Sequence, residues 1–212
     1  PDPTSAPFST IGGNIACNAG GPRAVKYGAC RENVLALEAV DGRGRVLRLG
    51  TRTTKGSTGY DLMRVLVGSE GTLALVTQAT LRLVPRPVQR ALLRALYADV
   101  GAAARAVARL MQVPVVPGAV EFMDAGAIRL ARDVGGADIG AAGALLMIEV
   151  DGVGTTLAES VAVLSAAARG DGLLALDEAL APGDIESLWA ARRALSPALR
   201  TLAPKKINED VV

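Results

Sequence analysis

From residue 88 onward, apolar segments of strand length alternate with alanine-rich segments of helical spacing, and this alternation limits the fold more than any other feature. Strands are predicted at about 88–97, 116–122, 144–151 and 172–178, and helices at about 100–112, 124–133, 156–169 and 183–202. Such alternation favours an α+β layer, in which helices cover one face of a small sheet in the manner of two split βαβ units. Thr156 and Glu159, three residues apart, predict the cap of the third helix.

The sequence before residue 85 has a different pattern. The segments "NVLALEAV" and "RVLRLG" are separated by the turn residues "DGRG", which predicts a β-hairpin. Thr58 and Asp61 have the capping-box spacing of a helix that ends near Gly68. The alternation in "TLALVTQATLRLVP" predicts one long strand or two successive strands.

Pro85 and Pro87 end that strand pattern, because proline cannot donate a hydrogen bond to a sheet. The composition becomes rich in alanine immediately afterwards. We therefore predict a domain boundary that separates residues 1–86 from residues 87–212.

Composition excludes several classes of protein. The chain of 212 residues has a net charge of +2, only 3% aromatic residues and no run of like charges, which disfavours nucleic-acid and membrane-surface binding. It contains no histidine, so these residues cannot supply an imidazole base or metal ligand. Cys17 and Cys30 without a second pair favour a reducing, cytoplasmic compartment. Because the chain starts at Pro1 in a loop-like segment, we expect a fragment cut inside a domain.

The segment "STIGGNIACNAGG" holds two glycine pairs, Gly12–Gly13 and Gly20–Gly21. Glycine permits positive φ and lets backbone N–H groups approach a ligand, as in cradles for a diphosphate or a flat ring. The spacing matches neither a Rossmann turn nor a P-loop. A turn-rich connection without a ligand is the alternative.

A further pair of glycines, Gly68 and Gly71, surrounds the lone carboxylate of Glu70 in "GSEGTLALVT". A helix C-cap followed by a turn explains Gly68. It does not explain the lack of bulky side chains on both sides of Glu70, so this segment is a second candidate for ligand contact.

Three parts of the chain together carry a family resemblance. "DPTSAPFSTIGGNIACNAGGPRAVKYGACRENV", "STGYDLMRVLVGSEGTLALVTQATLRLVPRP" and "LWAARRALSPALR" with "KINEDV" resemble, in order, the glycolate oxidase D-subunit and D-lactate dehydrogenase branch of the FAD-linked oxidases with the vanillyl-alcohol oxidase, or PCMH-type, fold. The resemblance implies the second half of a PCMH-type FAD-binding domain over 1–86. A ferredoxin-like α+β cap, the substrate domain, would follow over 87–212 and be incomplete at its C-terminus.

The same resemblance implies FAD as the cofactor and assigns residues to it. Cofactor-binding positions in this numbering are Pro3, Ser9, Thr10, Gly12, Gly13, Asn14, Cys17, Asn18, Ala19, Gly20, Tyr27, Gly28, Glu70, Gly71, Thr72, Leu73 and Val76.

The resemblance also assigns Arg192, Ser196 and Lys206 to the carboxylate of a 2-hydroxy acid. Arg192 and Ser196 are four residues apart and share a helix face, and a guanidinium fork suits a carboxylate. The alternative is that Arg192 and Arg193 are solvated helix charges. The resemblance implies that the catalytic base and any divalent metal site lie C-terminal to this chain.

The implied activity is oxidation of a glycolate-type or D-lactate-type acid to the 2-oxo acid by hydride transfer to flavin, and the 212 residues alone are expected to be inactive. Expected partners are the acid, an unidentified electron acceptor, and partner subunits or further copies, without nucleic acid. Association with a membrane through partner subunits is compatible with this expectation. Two alternatives stay open: a non-catalytic flavin-binding subunit, and an ether-lipid synthase of the same fold that would not need Arg192 and Lys206.

Overall fold

The computed structural model describes residues 1–133, 139–179, 181–202 and 205, without the side chains of residues 179, 191, 196–197 and 201–202. The chain divides into two compact units, Pro1–Arg86 and Pro87–Val212. The division lies between the two prolines that interrupt the strand pattern.

The first unit is built on a three-stranded antiparallel sheet of order β2-β1-β3. Its elements are α1 (Ile11–Ala16), α2 (Ala24–Tyr27), α3 (Cys30–Asn33), β1 (Val34–Asp41), β2 (Val46–Gly50), α4 (Leu62–Leu66) and β3 (Ala74–Leu81). The predicted hairpin is confirmed as β1 and β2, and the later alternating segment forms one strand, β3. A small core forms from Ile15, Cys30, Val34, Leu37, Ala39, Met63, Leu66, Val67 and Ala74.

The predicted cap of the helix in this unit is wrong. Helix α4 begins at Leu62, and Asp61 is its N-cap, whose side chain accepts a hydrogen bond from the backbone N–H of Arg64. Thr58 is exposed and precedes the helix by a full turn. Asp61 competes better because aspartate directly before the first helical residue can reach an unsatisfied N–H group.

The second unit has a four-stranded antiparallel sheet of order β5-β6-β4-β7. Its elements are β4 (Gln89–Tyr97), α5 (Val100–Leu110), β5 (Ala119–Asp124), α6 (Ala125–Asp133), β6 (Ala144–Gly152), α7 (Thr155–Ala168), β7 (Leu173–Ala179) and α8 (Pro182–Leu202). With α5 and α7 as crossovers, the strands have the split βαβ order of a ferredoxin-like layer. The predicted α+β class is therefore confirmed.

Helices cover both faces of this sheet, so the predicted single covered face is wrong. Helices α5 and α7 pack on Leu93 and Ile148, whereas α6 and α8 pack on Leu92 and Met147. The central strands β4 and β6 are apolar on both sides, which is a pattern that needs cover on both faces.

The start of helix α7 also differs from the prediction. Gly154, with φ of 51°, is the N-cap, and the helix begins at Thr155. The hydroxyl of Thr156 donates to the carbonyl of Val153 at 2.7 Å. Thr156 is thus the second residue of the helix and not its N-cap, and its hydroxyl binds the chain directly before the helix. The spacing between Thr156 and Glu159 predicted an N-cap at Thr156 instead.

Candidate functional site

The first glycine pair lies in a helix. Thr10 is the N-cap of α1, and its hydroxyl oxygen accepts the N–H of Gly13 at 3.0 Å. Neither Gly12 nor Gly13 has positive φ, so the expected conformational reason for these glycines is wrong. A Cβ on Gly12 would have no atom within 4 Å, so this exposed backbone borders open space.

Close packing explains Gly21 in the second pair. Its φ is +148°, and a Cβ there would lie 2.5 Å from the backbone carbonyl carbon of Asp2. Asp2 forms an ion pair with Arg23 at 2.5 Å, which keeps the start of the chain against this turn. Gly21 therefore serves the approach of two backbone segments, while its neighbour Gly20 is half-buried.

The structure brings the two predicted glycine segments together. The N–H of Gly68 donates to the carbonyl of Ile15, and the N–H of Glu70 donates to the carbonyl of Ala16, both at 3.0 Å. A Cβ on Gly68 would lie 3.0 Å from the Cβ of Asn18. We name residues 9–21 and 68–72 the glycine wall.

Two residues of the glycine wall have unusual backbone geometry. Asn18 and Glu70 have φ of 50° and 52°, and in the described part of the chain they are the non-glycine residues with positive φ. This conformation costs a residue such as Glu70 roughly 1–2 kcal/mol, whereas asparagine adopts it more readily. Backbone strain of this kind concentrates at ligand sites, which supports Glu70 as a candidate.

Arg31, which the sequence reasoning missed, links the first segment of the glycine wall to Val67, the residue directly before the second segment. Its backbone N–H donates to Oδ1 of Asn18 at 2.9 Å, and Nη2 donates to the carbonyl of Val67 at 3.2 Å. Its Nε is buried without a partner among the described residues. The arginine in "CREN" was the available signal, but nothing local indicated its contacts.

Several other predicted cofactor residues lie within the glycine wall and make hydrogen bonds there. Ala19 accepts the N–H of Cys30 at 3.0 Å, and the carbonyl of Asn14 accepts the N–H of Ala19 at 2.8 Å. The hydroxyl of Thr72 donates to the carbonyl of Ser69 at 2.6 Å. Exposure differs among the predicted cofactor residues: Pro3, Gly28, Tyr27 and Val76 are half-buried, whereas Gly71 and Leu73 are exposed.

Gly28, at the end of α2, is fixed by its surroundings. Its φ is +75°, and a Cβ there would lie 2.6 Å from the Cβ of Glu32. Nδ2 of Asn33 donates to the carbonyl of Tyr27 at 2.8 Å. The positive φ and the close contact with Glu32 explain why glycine occupies this position, so no ligand is needed to explain it.

The glycine wall has the features that a bound dinucleotide diphosphate needs. The hydroxyl of Ser9 is buried, with no hydrogen-bond partner among the described residues. It lies directly before the first turn of α1, where backbone N–H groups lack carbonyl partners within the helix. Gly12 leaves the adjacent space open. The Ser9 hydroxyl and the open space at Gly12 are therefore compatible with a bound diphosphate, whereas the N–H of Gly13 is already bound by the Thr10 hydroxyl.

We expect the two cysteines of this unit to differ in reactivity. Cys17 is exposed and Cys30 is buried, and burial raises the pKa of the Cys30 thiol. Because the thiolate is the reactive form, a raised pKa leaves less of it at neutral pH. Peptide mass spectrometry after iodoacetamide treatment at neutral pH should find label on Cys17 but not on Cys30 until the protein is denatured. Rapid labelling of Cys30 in the native protein would contradict this expectation.

In the second unit, helix α8 carries the predicted substrate residues. Nε of Arg192 donates to Oε2 of Glu121 on β5 at 2.6 Å, and both side chains are partly buried. Arg193 forms an exposed ion pair with Glu186 on the same helix. The two arginines thus differ: Arg193 is a solvated helix charge, while Arg192 lies against the sheet. Ser196 belongs to α8, but its side chain and all of Lys206 are outside the described residues.

The sheet face under α8 holds a second carboxylate. Glu149 on β6 is fully buried, and its Oε2 accepts the indole N–H of Trp189 at 3.0 Å. Nε of Arg90 lies 3.9 Å from the other oxygen.

Within the described ranges, no three His, Cys, Asp or Glu side chains gather as a metal-ion site. None of the helices in those ranges has the length and apolar character required to cross a bilayer.

The chain belongs to the FAD-linked oxidases: residues 86–212 match the family model "FAD linked oxidases, C-terminal domain". Residues 1–50 match the model "FAD binding domain". The expected family and its cofactor, FAD, are therefore confirmed.

Similar proteins include 2-hydroxy-acid enzymes. The chain is 39% identical to "Glycolate oxidase subunit GlcD" of Bacillus subtilis (strain 168), over 99% of this chain and 45% of that protein. It is 43% identical to a "D-lactate dehydrogenase" of Archaeoglobus fulgidus, over 64% of this chain and 30% of that protein. The chain thus spans less than half the length of these relatives.

A solved structure shares the fold. A structure of alkyldihydroxyacetonephosphate synthase superposes with a TM-score of 0.68 at 23% identity, over 95% of this chain and 40% of that chain. At this identity the likeness concerns the fold alone. It agrees with the predicted combination of a PCMH-type domain with a ferredoxin-like layer.

Proposed function

We propose that this chain is part of an FAD-dependent enzyme that oxidises a 2-hydroxy acid to the 2-oxo acid. The glycine wall would bind the cofactor and helix α8 would bind the acid. The observation that carries the proposal is Arg192, a partly buried guanidinium fixed on the sheet by Glu121. Relatives named as glycolate oxidase subunits and D-lactate dehydrogenases support an acid of this class.

Bound FAD would supply the hydride acceptor for the bond between hydrogen and the α-carbon. Arg192 would bind the substrate carboxylate through charge-assisted hydrogen bonds and so fix the orientation of the α-carbon. Ser196 and Lys206 are proposed to add a hydroxyl and a second cation to the same carboxylate. The base that takes the hydroxyl proton is not assigned among the described residues.

The glycine wall would hold the cofactor. The Ser9 hydroxyl and the first-turn N–H groups of α1, apart from that of Gly13, which Thr10 caps, can donate to a diphosphate. Glu70 and Asn18, both with positive φ, are proposed to contact the nucleotide from the glycine wall.

We further propose that the protein works with partner subunits. The relatives named "Glycolate oxidase subunit GlcD" support this arrangement, because their name makes them parts of a larger oxidase. A non-catalytic flavin-binding subunit is the rival that the same name allows.

A substrate screen tests the proposal. The complete gene product, loaded with FAD, is assayed with an artificial electron acceptor against glycolate, D-lactate, L-lactate and D-2-hydroxyglutarate. Propane-1,2-diol serves as a control, because it resembles lactate but lacks the carboxylate. We expect dye reduction with at least one acid and none with the diol. A flavin-loaded protein that oxidises none of the acids would refute the enzyme proposal and favour the non-catalytic subunit.

A further inference from the structure

Two carboxylates project from the sheet toward helix α8. In the antiparallel register of β5 and β6, Glu121 lies opposite Met147 and Ala119 lies opposite Glu149. Residues two apart on a strand share a face, so Glu121 and Glu149 are diagonal neighbours on one face of the sheet. Trp189 of α8 belongs to the hydrophobic core on that face.

Each carboxylate binds one donor of α8. Glu149 accepts the indole N–H of Trp189 at 3.0 Å, and Glu121 accepts Nε of Arg192 at 2.6 Å. Trp189 and Arg192 are three residues apart and therefore adjacent on one side of the helix. Trp189 is only 6% exposed, so it is a buried anchor. The two hydrogen bonds fix both the rotation of α8 and its position along the sheet.

The contact of Glu121 is with Nε and not with the end of the guanidinium. Arginine has five N–H donors in a rigid plane, two pairs of them on the terminal nitrogens. Within the described part of the chain, Arg192 pairs with Glu121 through Nε. A carboxylate bound at Nε sets the plane of the group and leaves terminal donors for a second carboxylate.

We propose that Glu121 is a positioning residue that aims the terminal nitrogens of Arg192 at the substrate carboxylate. The Glu149–Trp189 hydrogen bond supports this geometry by holding the helix. The inference rests on the proposed role of Arg192. The direction of the change in KM distinguishes two roles for Glu121. If Glu121 competed with substrate for Arg192, removing Glu121 would lower KM, whereas a positioning role requires KM to rise.

The test uses Glu121→Gln and Glu121→Ala in the complete, FAD-loaded gene product, with glycolate, D-lactate and D-2-hydroxyglutarate as probes. Glu121→Ala should raise KM for the oxidised acid about tenfold, a loss of about 1.4 kcal/mol in binding, with a smaller change in kcat. Glu121→Gln should lie between Ala and wild type, because its amide oxygen still accepts the Nε–H group. The matched control, Glu186→Ala, removes the partner of Arg193 on the same helix and should leave KM unchanged.

Combination with Arg192→Ala separates the two proposals. Because Glu121 acts through Arg192, the double variant should bind the acid no worse than Arg192→Ala alone. Additive effects, an unchanged KM or a lowered KM in the Glu121 variants would overturn the positioning role while Arg192→Ala still reports on the carboxylate site. If Arg192→Ala leaves KM unchanged, the carboxylate-binding proposal itself fails. Should Glu121→Ala not fold, Glu121→Gln and its double variant give the same decision.

Discussion

Replacing Gly12 with aspartate should greatly weaken flavin binding by the complete protein without unfolding the protein. A Cβ at this position meets no atom within 4 Å, and Gly12 does not have positive φ, so the new side chain fits the backbone. Gly12 is the second residue of α1, where a carboxylate favours the helix through its dipole. The same charge would repel a diphosphate by about 1–4 kcal/mol per charge pair at contact distance, depending on screening. We expect flavin affinity to fall at least tenfold.

Gly42 provides the matched control for this experiment. It lies in the turn between β1 and β2, has no positive φ, and a Cβ there also meets nothing within 4 Å. Gly42→Asp therefore adds the same charge to the same unit away from the glycine wall. Absorbance of bound flavin after gel filtration and titration of the apoprotein with FAD compare the two variants. A Gly12→Asp protein with wild-type flavin content would remove α1 from the proposed cofactor site.

The fold could largely be predicted because apolar residues recur along the sequence at the regular spacings of helices and strands. The β-hairpin and the eight elements after residue 88 follow from apolar spacing and turn residues. The sequence also indicated that helices cover both faces of the sheet, since "ALLRALY" and "ALLMIEV" do not alternate between apolar and polar residues along their whole length. The prediction that helices cover only one face was therefore wrong although the pattern was available.

The helical glycines could not be predicted from propensity. Gly12 and Gly13 each cost α1 roughly 1 kcal/mol relative to alanine, so a turn was the better local expectation. Tertiary contacts reverse that expectation. Ile15 is buried in the core, its carbonyl accepts the N–H of Gly68, and Thr10 caps the helix. These partners include a residue more than fifty positions away, which no local pattern contains.

The candidate sites show the same limit. Family motifs pointed to the two segments of the glycine wall and to Arg192, but not to the hydrogen bonds between those two segments or to the partner of Arg192. Arg192 and Glu121 are 71 residues apart in sequence, and their pairing depends on the register of β5 and on how α8 packs. The distinction between Arg192 and Arg193 likewise needed the structure, because adjacent arginines on a helix are equivalent in a spacing argument.

Arg192→Ala should have the largest effect on substrate binding. A charge-assisted pair between guanidinium and carboxylate contributes about 1.5–3 kcal/mol, so its loss should raise KM for the oxidised 2-hydroxy acid roughly tenfold to hundredfold. Flavin content should not change, because the residues proposed for FAD lie in the first unit and Arg192 in the second. Steady-state kinetics together with the flavin absorbance of each purified variant measure both quantities.

Arg193→Ala is the control that gives this result its meaning. It removes the same side chain from the next position of the same helix, but from an exposed ion pair with Glu186, and such pairs contribute about 0–1 kcal/mol. Its KM should equal that of the wild type. Equal increases in KM for both variants would indicate a general effect of positive charge on the acid, and no increase for either would exclude Arg192 as the carboxylate ligand. Only an increase confined to Arg192→Ala agrees with a guanidinium that lies against the sheet and binds substrate there.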